Sequence, residues 1–159
     1  LREADAAYFA QPMMMPTGPG TLGDFLDIRI LDIWIHDQDI RRALGLSGNH
    51  GGPCAEHTID RLIRTLPIVV GKRAATPEGK SVAIYITGAV QRNIYISVID
   101  GRAKIVGENT QDLLCEISLD STVFTALATG RKNASEVNWT STGDSPLANS
   151  IVAQLNMMI

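Results

Sequence analysis

The chain has 159 residues, with 14 Lys+Arg against 17 Asp+Glu, a formal charge of -3 and a pI near 5.5. A content of 45% hydrophobic and 19% charged residues is that of a folded globular chain and excludes disorder. The acidic balance argues against nucleic acid as a partner. No apolar run reaches the roughly 18–20 residues of a membrane span, because the best candidate, Phe25 to Ile40, is interrupted by Asp27, Arg29, Asp32, His36, Asp37 and Asp39.

Leu1-Arg2-Glu3-Ala4-Asp5 opens with mixed charges and reads as no secretory signal, while Leu1 to Ala10 reads as a piece of helix. Gln11 to Gly20 carries three prolines and two glycines, which exclude regular helix. Thr21 to Leu44 is the most periodic stretch. Thr21 can cap it, Asp24 suits its first turn, Arg41 and Arg42 suit its last turn, and Gly45 suits the C′ position. Composition changes near residue 50. After the turn-rich Ser47 to Pro53, a further helix is predicted over about Ala55 to Val70.

From Ser81 the pattern turns to short β-branched runs. Strands are predicted over Val82–Thr87, Ile94–Ile99, Arg102–Val106 and Leu114–Leu119, with Asp100-Gly101 as a hairpin turn. Asp120 or Ser121 caps a short helix, Val123–Ala128, that stops at Gly130. Val137–Thr142 reads as a fifth strand, and a last helix runs from Ser145 to about Met158. This half is an antiparallel sheet with packed helices, so the fold class is α+β.

On a wheel at about 100° per residue, Arg29, Asp32, His36 and Asp39 share one face of the first long helix, flanked by Ile28, Ile33, Ile35 and Ile40. The opposite face, with Asp27, Asp37, Gln38, Arg41, Trp34 and Ile30, is expected to meet solvent, which places the polar quartet inside. A charge there costs several kcal/mol unless paired or coordinated. Asp32 and His36, one turn apart, can aim a carboxylate oxygen and an imidazole nitrogen at one divalent cation. A ladder of Arg29–Asp32, Asp32–His36 and Asp39–Arg42 pairs satisfies the same spacing, and spacing alone does not separate the two readings.

Arg29 to Gly45 resembles the last bundle helix of the mycothiol-dependent maleylpyruvate isomerase family. Glu56 to Leu62 and Leu66 to Arg73 are similar to that family's connector. Ile84 to Gly88, Asp100 to Ala103, Phe124 to Arg131 and Gly143-Asp144 resemble its C-terminal domain. The resemblance implies that residues 1–50 are the C-terminal part of a DinB-like helical bundle. Residues 51–159 would then be the connector helix and a domain like sterol carrier protein. It also implies a divalent metal, zinc as a rule, held by Asp32 and His36 with a His from an earlier helix. No residue before Asp24 matches that His, so the chain is read as truncated at its N-terminus.

Mycothiol, bound to the metal as thiolate, would add to a small electrophilic substrate, leading to isomerisation or thiol transfer. Arg29 is the candidate for a substrate carboxylate. Arg73, Arg92 and Arg102 are further cations without an assigned role. The implied setting is cytoplasmic, with two unpaired cysteines, no membrane or nucleic-acid partner, and room for a homodimer.

The competing function is a non-enzymatic small-molecule or lipid-binding module. Leu147, Ile151, Leu155, Met158 and Ile159 give the last helix an apolar face that could line a pocket or simply close the core. A third alternative is a scaffold without activity. The plainer readings are flexible packing for Met13-Met14-Met15, core for Cys115, a helix start for Cys54 and a surface or capping role for His57.

Overall fold

Asp5 opens the first element of the computed structural model, which describes residues 4–15, 18–108 and 112–157. Its carboxylate accepts from the Tyr8 N–H at 2.9 Å and caps a single turn, α1 (Ala6–Phe9). The segment expected to be irregular then forms a small antiparallel hairpin of β1 (Pro12–Met15) and β2 (Gly18–Thr21), with Pro12 opposite Thr21 and Met15 opposite Gly18. Prolines that forbid helix are tolerated in a two-stranded ribbon, where both strands are edges.

The long helix α2 (Leu22–Ala43) has the predicted termini. Thr21 Oγ1 accepts from the Asp24 N–H at 3.1 Å, and Asp24 Oδ2 accepts from the Thr21 N–H at 3.0 Å, a reciprocal capping box. At the other end Gly45 takes φ +66°, and the Leu46 N–H donates to the Arg41 carbonyl at 2.9 Å.

The orientation of α2 is the reverse of the one expected. Leu31, Trp34, Ile35 and Gln38 form its buried face, and His36, Ile33 and Ile40 are exposed. The loop after the helix decides this. Asn49 accepts from the Trp34 indole N–H at 3.1 Å through its carbonyl, and its own N–H donates to Gln38 Oε1 at 3.1 Å. Two polar groups that looked solvent-facing on the wheel are thereby buried with their hydrogen bonds made.

Helix α3 covers Pro53–Ile63, and the chain divides into compact units at Leu1–Arg61 and Leu62–Ile159. The single helix predicted over Ala55–Val70 is therefore a correction. Pro67 has no N–H for the carbonyl four residues back, so the helix stops short of it. A wide helical turn over Ile68–Arg73 follows, closed by the Ala74 N–H on the Val69 carbonyl at 2.8 Å.

The second unit is α+β. Its sheet contains β3 (Ser81–Thr87), β4 (Arg92–Ile99), β5 (Arg102–Val106), β6 (Leu113–Asp120) and β7 (Thr140–Gly143), in the order β5-β4-β3-β6-β7. All pairings are antiparallel except the central β3–β6, which is parallel and sets Val82, Ile84 and Ile86 beside Cys115, Ile117 and Leu119. Those residues, with Ile94, Ile96 and Val98, are buried, and α4 (Ser121–Ala128) and α5 (Ser145–Ala153) pack against the sheet. Strict alternation along β6 makes one face core and leaves Leu114, Glu116 and Ser118 partly exposed on the other.

Two predicted boundaries move. The strand expected from Val137 begins only at Thr140, because β6 ends at Asp120 to cap α4 and offers no partner further along. The last helix ends at Ala153 rather than near Met158. Arg73 Nη1 donates to the carbonyls of Gln154 and Asn156 at 3.0 and 2.5 Å, and the Met157 N–H donates to Ala128 at 2.9 Å. Partners outside the helix thus take over its terminal backbone groups.

Candidate functional site

Arg29, Asp32, His36 and Asp39 stand together on α2 as their spacing predicts. Arg29 Nη1 is 3.0 Å from Asp32 Oδ2, and His36 Nε2 is 3.4 Å from Asp32 Oδ1. The other imidazole nitrogen, Nδ1, is 3.6 Å from Asp39 Oδ2, and Arg42 Nη1 donates to Asp39 Oδ1 at 3.1 Å. The His36 side chain is 62% exposed. On such a surface, ion pairs at helical spacing contribute about 0.3–0.5 kcal/mol each.

Asp32 and His36 are donors of types that zinc accepts, and they are close enough to share an ion. A zinc centre needs at least one more protein ligand. Among the described residues no three His, Cys, Asp or Glu side chains are grouped to hold a metal. The two remaining histidines are elsewhere. His57 Nε2 is 3.4 Å from Asp27 Oδ1, and His50 lines a small depression with Gln38, Arg41 and Leu46.

The other flagged residues have structural roles. Arg73 holds the end of α5. Arg92 Nη1 donates to the Gln91 carbonyl at 2.9 Å. Met13, Met14 and Met15 lie in β1, with Met14 exposed. Leu147, Ile151 and Leu155 are buried and close the core; Met158 and Ile159 lie outside the described residues. Cys54 is exposed near the start of α3, and Cys115 is buried in β6, where burial and then the nearby Asp144 push its thiol up to about 11.

A pattern not visible in the sequence lies on the partly exposed sheet face. The Tyr85 hydroxyl donates to Glu116 Oε1 and the Thr142 hydroxyl to Glu116 Oε2, both at 2.9 Å. Tyr95 meets Tyr85 edge to face, 6.2 Å between ring centres. The hydrogen bond to Glu116, with burial, pushes the Tyr85 phenol well above its usual value. Both carboxylate oxygens are engaged, so the cluster ties β3, β6 and β7 together.

The second unit carries an open groove of about 410 Å³ between the wide turn and the β4–β5 hairpin. Pro67, Ile68, Gly71 and Lys72 form one wall; Val98, Gly101, Arg102 and Ala103 form the other. Glycine at position 71 is required by the close approach: a Cβ there would lie 2.6 Å from Ala103 Cβ. The hairpin is the predicted Asp100-Gly101 turn, with φ +55° and +72°, and both Glu78 carboxylate oxygens accept from its N–H groups at 2.9 and 3.0 Å.

Within this groove Ile68 is 54% exposed, a large apolar side chain left in water. The side chains of Lys72 and Arg102 have no hydrogen-bond or ion-pair partner among the described residues. The groove thus combines apolar surface with two uncommitted cations on a chain of net negative charge. Its volume falls in the range of small-molecule sites, roughly 300–1,000 Å³.

No family model matches the sequence, and no curated protein is similar to it at a significant level. Solved structures similar to the chain include a sterol carrier protein-2 like-3 from Aedes aegypti, at 12% identity and a TM-score of 0.41, covering 58% of this chain and 92% of that one. The apo form of sterol carrier protein 2 from Yarrowia lipolytica is similar at 14% identity and a TM-score of 0.42, covering 64% and 93%. A third is the ubiquinone synthesis protein UbiJ-SCP2, at 14% identity and a TM-score of 0.40, covering 64% and 85%. A likeness of this size carries no inference about ligand or activity, which rest on the residues of the chain itself.

Proposed function

We propose that the second unit is a non-enzymatic binding module for a small amphipathic molecule with an apolar tail and an anionic head. The observation that carries this reading is the pairing of exposed Ile68 with unpartnered Lys72 and Arg102 around one open groove. Covering apolar carbon there is favourable by about 0.8 kcal/mol per buried CH₂. Arg102 can grip a carboxylate or phosphate with two parallel N–H donors, and Lys72 adds a point charge. Purified protein, extracted with organic solvent and analysed by mass spectrometry, is expected to release an acidic amphiphile in near-stoichiometric amount. An extract empty of such molecules, from protein that also fails to take one up from a fatty-acid mixture, would overturn the reading.

A second reading, metal-dependent chemistry with mycothiol on a small electrophile, is favoured by one observation: Asp32 and His36 lie side by side on α2. A bound zinc would supply a stabilised thiolate. Asp32 and His36 would be two of its ligands, and Arg29, already bonded to Asp32, would approach substrate. The described residues leave the ligand set incomplete, so no reaction step is derived. Zinc titration followed by calorimetry tests it: tight stoichiometric binding abolished by His36→Ala supports it, and absence of tight binding removes it.

A further inference from the structure

The two walls of the groove are distant in sequence, and one short segment is bonded to both. Residues 76–80 run from the wide turn to β3. At one end Thr76 is buried, and its hydroxyl and its N–H both donate to the Val70 carbonyl, at 2.8 and 3.2 Å. At the other end the Gly79 N–H donates to the Val98 carbonyl and the Val98 N–H to the Lys80 carbonyl, both at 3.0 Å. Between them the Lys80 N–H closes a turn on the Pro77 carbonyl at 3.2 Å, with Gly79 at φ +73°. Glu78 stands in that turn and reaches the tip of the β4–β5 hairpin.

The tip lacks acceptors of its own. In a two-residue hairpin the central N–H groups find no partner in the ladder, and Asp100 and Gly101 hold that conformation at φ +55° and +72°. One carboxylate satisfies both: Glu78 Oε1 accepts from Asp100 at 2.9 Å and Oε2 from Gly101 at 3.0 Å. Hydrogen bonds to an ionised acceptor are the stronger kind, and two made by one group fix direction as well as distance. Gly101 lines the groove, and Arg102 follows it as the first residue of β5, opposite Ile99. The carboxylate therefore governs where Arg102 leaves the turn. No ion pair joins Glu78 to Arg102 among the described residues, so the guanidinium is left to the groove.

We infer that Glu78 is a positioning residue for head-group selection: by holding the Asp100-Gly101 tip it sets Arg102 across the groove from Lys72, so that the two cations close on one anionic head. The inference rests on the ligand class proposed for the groove and adds the residue that turns two separate cations into one site. Releasing the tip leaves the apolar wall of Pro67 and Ile68 in place, so it costs preference for the head rather than grip on the tail.

Paired fluorescence titrations of the full chain with dansyl-undecanoic acid and its uncharged primary amide test it. The wild type is expected to prefer the acid by about tenfold or more. Glu78→Ala is expected to reduce that preference to about threefold or less while the amide binds as before. Glu78→Gln, whose single carbonyl oxygen keeps one of the two bonds, is expected to fall between. In proton–nitrogen correlation spectra the Asp100 and Gly101 amide signals are expected to move upfield in Glu78→Ala, as loss of a charged acceptor requires. An acid preference in the wild type that Glu78→Ala leaves intact, an equal loss for acid and amide, or unmoved amide signals would overturn the inference and leave the ligand class standing. A wild type that binds neither probe, or both alike, would remove that ligand class and the inference with it.

Discussion

His36 lies between two carboxylates on the water side of α2, and its surroundings separate what spacing can establish from what it cannot. Spacing of three and four residues brought Arg29, Asp32, His36 and Asp39 into contact as read, because helix geometry alone fixes such neighbours. Which face turns inward depends on the loop around Asn49, which satisfies Trp34 and Gln38, and no wheel contains that information. Cys115 was legible for the opposite reason: strand alternation assigns it to the core without tertiary knowledge. Its thiol, pushed from 9.0 to about 11 by burial, stays neutral in the folded chain. Because this pKa is raised, its contribution to stability is full below the unfolded thiol's value and is lost as pH rises toward 11. Iodoacetamide at pH 8 is expected to modify Cys54 and spare Cys115 until urea unfolds the chain, as peptide mass mapping would register. Labelling of both thiols at equal rates in the native protein would contradict the burial of β6.

At the scale of elements, the termini marked by caps were read correctly and those set by tertiary partners were not. Thr21 with Asp24, and Asp120 ahead of α4, announce helix starts in the sequence and make the expected bonds. Val137–Trp139 has strand-like residues but no strand beside it, and α5 stops where Arg73 and Ala128 capture its end. Asp120 matters more than its place at a turn suggests. Its Oδ1 accepts from the Thr122 N–H at 2.8 Å and the Thr122 hydroxyl at 2.6 Å. Asp120→Ala is expected to lower stability by about 1 kcal/mol, with Asp120→Asn retaining most of it, measured by urea unfolding at constant m-value. An alanine variant as stable as the wild type would show that the cap does not hold α4.

For the molecule as a whole, the α+β class and most strands follow from local pattern. The parallel β3–β6 pairing and the groove do not, since both join residues about thirty positions apart. Gly71 against Ala103 is such a meeting, and nothing near Gly71 in sequence indicates that its missing side chain admits a hairpin. Lys72 carries no reading of its own in the sequence, and Arg102 stands there as a cation without an assigned role; only the fold puts them on one groove. In the proposed function this groove takes an anionic amphiphile. Its most direct test is a fluorescence titration of the full chain with dansyl-undecanoic acid, repeated on Ile68→Glu and on Lys72→Glu. Saturable one-to-one binding is expected, weakened roughly tenfold or more by either substitution, since each removes apolar contact or reverses a charge worth about 1–2 kcal/mol. Absence of saturable binding by the wild type, or affinity unchanged in both variants, would contradict it.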